Sequence, residues 1–144
     1  MKTILLLTLL AASTLVNAQK VKSVQIFDSN IGTLTCQYVY GTDTTVNIVL
    51  LGRNYRYTHI IDYIVIYSGT PSDVVEFFNE VEILVNENEP STTCSIDGQM
   101  INISGVGKFS VYESHGSLGY HIYTLKQWQK LKLELNNFVN LNGL

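Results

Sequence analysis

Cysteine is scarce in this chain of 144 residues, where Cys36 and Cys94 are the only two. A structural zinc site needs four ligands gathered from close Cys or His spacings, which two isolated cysteines do not supply. The three histidines, His59, His115 and His121, include no pair at the i, i+4 spacing that sets two ligands on one helix face. Long apolar runs are absent after Gln19, so no later segment offers the roughly 20 residues that a membrane helix requires. Charged residues are few, 15% against 46% hydrophobic, a balance that excludes a disordered chain. The net charge of −3 disfavours nonspecific adhesion to nucleic acid or anionic lipid. Between Asp62 and Gly107 there are eight acidic residues and no Lys or Arg, whereas Lys126, Lys130 and Lys132 cluster near the C terminus. Ordinary solvated faces account for both. A basic partner docking on the acidic helix predicted within that stretch is the functional alternative.

Signatures of catalysis are equally thin. Gly105-Val106-Gly107-Lys108 ends like a phosphate-binding loop, but the earlier glycine is missing and Phe109 stands where a metal-binding hydroxyl belongs. Glu113, Ser114 and His115 place acid, nucleophile and base side by side, whereas a triad converges from separate elements beside an oxyanion hole. A Ser- and Gly-rich hairpin loop explains the same letters. Ser117 lacks the glycines two positions away on each side that define a nucleophile elbow. No cofactor and no metal are expected.

What is present starts with an export leader. Lys2 gives a positive start, residues 4–10 are apolar but for one threonine, and Val16 and Ala18 are the small residues a signal peptidase selects. Residues 1–18 are therefore expected to be a signal peptide and 19–144 a single domain, secreted or periplasmic. Loss of Lys2 leaves eight basic residues against twelve acidic ones. In an oxidising compartment an even cysteine count favours a Cys36–Cys94 disulfide.

The mature part predicts an α+β fold, mainly an antiparallel sheet built from hairpins and packed by two helices. Residues 34–40 alternate with a period of two, 41–44 read as a turn, and 45–51 are β-branched and apolar, which makes a hairpin. Residues 57–67 hold isoleucines on both faces and predict the central strand, covered on both sides. Residues 21–27 predict a further strand. Thr70, Pro71 and Asp73 form a helix start, and Val74, Phe77, Phe78, Val81, Leu84 and Val85 recur at spacings of three and four, which predicts a helix over 70–87. Asp97-Gly98 suits a tight turn between strands 92–96 and 99–103, and 108–112 with 120–123 make another hairpin. Thr124 with Gln127 caps a closing helix over 124–140, although the alternation of residues 131–135 also suits a strand.

Nine tyrosines supply rigid contact surface with a hydrogen-bonding tip. Arg53, Tyr55, Arg56 and Tyr57 concentrate two guanidiniums and two phenols in one connection, the residue types that dominate binding hot spots. They are the candidate binding residues, toward a protein or carbohydrate partner. The alternative is a hairpin in which the rings cover the sheet and both arginines stay solvated. Asp62, on a predicted face with Ile60, Ile64 and Ile66, is the least ordinary carboxylate, since an unpaired acid there is costly. The expected function is a noncatalytic exported binding domain. Two alternatives stand beside it: a structural subunit of a surface or viral assembly joined by strand addition, and a small secreted hydrolase using Asp62, Glu113 or His115.

Overall fold

The computed structural model describes residues 20–87, 89–105, 107–112 and 119–144. The expected signal peptide and most of the Ser- and Gly-rich loop that holds Glu113 and His115 lie outside the described residues. Four strands follow one another in the first half, β1 (Lys20–Ser29), β2 (Gly32–Tyr40), β3 (Thr45–Arg53) and β4 (Tyr63–Gly69), and then α1 (Pro71–Glu87). The second half repeats that order with β5 (Thr92–Ile96), β6 (Gln99–Gly105), β7 (Lys108–Tyr112), β8 (Tyr120–Thr124) and α2 (Leu125–Asn142). Each half makes its own antiparallel meander, β1-β2-β3-β4 and β5-β6-β7-β8. The α+β class with antiparallel hairpins stands, but the strands divide into two sheets.

Local chemistry explains the elements. In the β2–β3 hairpin, Leu34 pairs with Leu50 and Cys36 with Ile48, and all four are buried, so the period of two presents one continuous apolar face. The Asp97-Gly98 turn has φ of 46° and 80°, the positive pair that matches a two-residue hairpin to strand twist. Thr70 Oγ1 accepts the Asp73 N–H at 3.3 Å, and Asp73 Oδ2 accepts the Thr70 N–H at 3.0 Å, closing the start of α1. The same reciprocal bonds join Thr124 and Gln127 at the start of α2, which ends at Gly143 in the left-handed region. Residues 131–135 are helical: Leu131 and Leu135 turn inward while Leu133 is 58% exposed, an arrangement that a strand, with all three on one face, forbids.

Both sheets and both helices bury into one core. Helix α1 lies against β3, β4 and β5, and α2 against β1, β8 and α1. Trp128 is its hub. The indole stacks on Phe78 with ring centroids 4.2 Å apart, meets Phe77, Phe109 and Tyr123 edge-on, and donates its N–H to the Phe78 carbonyl at 3.0 Å. Lys132 and Gln129 of α2 both reach Glu82 of α1, so opposite charges on the two helices do meet.

Three expectations are corrected. The central strand over 57–67 does not form. Strand pairing begins at Tyr63, β4 is the edge of its sheet, and Ile60 and Ile61 stand in a loop, because β3 continues through Gly52 to Arg53 and pairs Arg53 with Tyr63. Asp62 consequently shares no strand face with Ile60, Ile64 and Ile66. Cys36 and Cys94 are both free thiols. Cys36 is buried on β2, whereas Cys94 lies on β5, the edge strand of the other sheet, and the covalent link expected from an even cysteine count in an exported chain is not made.

Candidate functional site: the connection between β3 and β4

Residues 54–62 form a loop whose backbone is fixed from several directions. Its anchor is Asn54, which is buried. The Asn54 N–H donates to the Asp62 carbonyl at 2.8 Å and the side-chain amide donates to Asp62 Oδ2 at 3.2 Å, which ties the two ends together. Asn54 Oδ1 accepts the Arg56 N–H at 3.1 Å, an Asx turn that starts the reversal. The neighbours bind outward: the Arg53 N–H donates to the Ile31 carbonyl at 3.1 Å and the Tyr55 N–H to the Tyr120 carbonyl at 2.9 Å. Sequence reading did not single out Asn54. An asparagine two residues before the amide it accepts is the signal that identifies it.

His121, weighed in the sequence only as a zinc ligand, is the second residue whose role the sequence conceals. Strand alternation turns it inward with Tyr123, and both side chains are fully buried. His121 Nδ1 lies 2.7 Å from the Arg53 carbonyl oxygen, which only accepts, so this nitrogen carries the proton. Gly52 makes room for the ring: a Cβ there would sit 2.7 Å from His121 Cγ, nearer than any side chain tolerates. Burial pushes the imidazole below the ordinary histidine value, and the bond to Arg53 offsets part of that shift. His121 Nε2, Tyr123 Oη and Arg53 Nε are buried without a hydrogen-bond partner among the described residues. Burial raises the Tyr123 phenol far above its usual range.

The four candidate binding residues therefore divide by depth. Arg53 and Tyr55 are half-buried, with the guanidinium carbon 6.0 Å from the Tyr55 ring centroid and the ring 5.1 Å from that of His121. Arg56 and Tyr57 are exposed. Beyond them the tip is apolar, with Tyr57 44%, Ile60 65% and Ile61 70% exposed. Exposed Tyr63 and Val65 continue it onto β4. The isoleucines' apolar, β-branched character suits a strand, which conceals them as surface in the sequence.

A hydrolase would need Asp62 to converge with an acid or base from the loop before β8. The Asp62 carboxylate accepts from Asn54 and serves the anchor, and Glu113 and His115 lie outside the described residues. Among the described residues no group of three His, Cys, Asp or Glu side chains is placed to hold a metal ion. No helix among them is long and apolar enough to cross a membrane. No family model, curated protein or solved structure matches this chain.

Proposed function

We propose that this chain is an exported noncatalytic binding domain that engages a protein or carbohydrate partner through the β3–β4 connection. The supporting observation is a contradiction in water: the loop holds its shape by anchoring Asn54, yet displays Ile60 and Ile61 more than half exposed. A fixed backbone loses little freedom on binding, and the exposed apolar tip gains when a partner removes it from water. Arg56 and Tyr57 flank that tip with a cation and an amphipathic ring. Arg53 and Tyr55 act from beneath as supports.

The test replaces Tyr57, Ile60 and Ile61 together with serine, positions whose exposure leaves the core intact. Purified chain and variant are immobilised, exposed to extracellular material from the native source and to a glycan array, and their melting temperatures compared. Retention of a specific ligand by the native chain and its loss from an equally stable variant is the expected result. Equal retention by both overturns the proposal.

A further inference from the structure

A second surface lies away from the β3–β4 connection, where α1 passes the edge of the second sheet. An open groove of about 320 Å³ is lined by Glu80, Ile83 and Leu84 of α1 and by Ser95 and Ile96 of β5. The helical residues stand at i, i+3 and i+4, so they share one stripe along the groove. Ile83 is 52% exposed, an isoleucine turned to solvent at the groove wall.

Strand β5 offers its backbone on the same side. It is an edge strand that pairs only with β6, and Ile96 faces Gln99 across the two-residue Asp97-Gly98 turn. A pair that closes such a turn exchanges both backbone bonds, and bonded pairs alternate along an antiparallel ladder. Cys94 is accordingly bonded to Ile101, and the N–H and C=O groups of Thr93 and Ser95 point to the open edge. Edges of this kind are usually blunted by lysine, proline or a bulge. Thr92–Ile96 has no lysine or proline, and its register with β6 is continuous.

Glu80 is the one charged residue that lines the groove, and Asp97 follows Ile96 of its wall. The Tyr67 hydroxyl donates to Asp97 Oδ2 at 2.9 Å. Burial first, then the Asp97 bond and the charges of Asp97, Asp73 and Glu80, push the Tyr67 phenol up to about 12. Residues 62–107 contain no Lys or Arg, and the described cation that reaches α1 from elsewhere, Lys132, pairs with Glu82.

We propose that this groove accepts an extended, basic peptide segment of another protein, which adds a strand to β5, sets one apolar side chain against Ile83 and Leu84, and brings lysine or arginine toward Glu80 and Asp97. Main-chain bonds to Thr93 and Ser95 supply affinity, the groove selects an alternate apolar side chain, and the acidic surroundings select the charge.

The test uses the full chain and a capped heptapeptide alternating lysine with valine and leucine, beside a counterpart with glutamate for every lysine. Fluorescence anisotropy measures affinity, and amide chemical shifts locate the site. The basic peptide is expected to bind, shifting the Thr93 and Ser95 amides, and the acidic one to bind at least about tenfold more weakly. Glu80→Lys weakens the basic peptide about fivefold and Ile83→Lys about tenfold. Ser95→Pro removes an edge donor that β6 does not use and weakens it about tenfold. Equal affinity for the two peptides, no binding of the basic one, shifts confined to other residues, or affinity indifferent to both lysine variants overturns the proposal. Concentration-dependent dimers in sedimentation that Ile83→Lys abolishes also overturn it, by assigning the groove to a second copy. The two lysine variants decide the matter if Ser95→Pro fails to fold.

Discussion

His121 joins the two sheets at a single atom pair, and the direction of that bond fixes its charge. The Arg53 carbonyl holds the proton on Nδ1, so protonation must occur at Nε2, which is buried without a partner among the described residues. The folded state therefore favours neutral imidazole, and burial lowers its pKa below the unfolded value. Between those two values the unfolded chain binds the additional proton, so stability rises with pH across the interval. The His121 contribution is fully present above the unfolded value of about 6.5 and is lost as pH falls from there through the folded value. Melting temperature is expected to stay level from about pH 8 to about pH 7 and to decline toward about pH 5. In His121→Asn, which retains an N–H donor but does not titrate, that decline is expected to be shallower. Equal slopes in native chain and variant would dissociate His121 from the acid response.

At the scale of elements, what depends on neighbours in sequence was readable and what depends on distant contacts was not. Caps and tight turns are short-range devices, so Thr70 with Asp73, Asp97-Gly98, and Thr124 with Gln127 each marked a boundary that the fold retains. Thr124→Ala removes the acceptor for the Gln127 N–H and is expected to cost about 1 kcal/mol, read as a lower denaturation midpoint with unchanged slope. Residues 57–67 misled because an apolar, β-branched run suits a strand wherever it lies. Its fate was decided by Asn54, eight residues from its partner Asp62, and by the Arg53–Tyr63 pairing. The same limit hid the division into two sheets, since hairpin signals specify neighbouring strands but not where a meander stops. Of the candidate site, Arg56 and Tyr57 were legible as surface. Ile60 and Ile61 were concealed by their apolar character, and His121 by the absence of any local clue to Arg53.

For the molecule as a whole, the repeated order of four strands and a helix raises the question of whether the halves are separate folding units. Trp128 answers through its contacts. It belongs to the second half, yet its ring stacks on Phe78 and its N–H bonds the Phe78 carbonyl, both in the first half. Neither half holds a complete core: α1 presents Phe77, Phe78 and Val81, and α2 presents Trp128, Leu131 and Leu135, to one shared cluster. Opening the halves would expose both stripes and leave the indole N–H without its acceptor. One cooperative transition is the expected behaviour. Because Trp128 is the only tryptophan, its fluorescence reports contact between the halves, while far-ultraviolet circular dichroism reports both sheets and both helices. The two curves are expected to coincide in urea. Trp128→Phe keeps a ring for Phe78 but removes the N–H and part of the volume, and is expected to destabilise both halves together by about 2–3 kcal/mol. A fluorescence change at lower urea than the loss of secondary structure would instead show two units, each of four strands and a helix, that part before either unfolds.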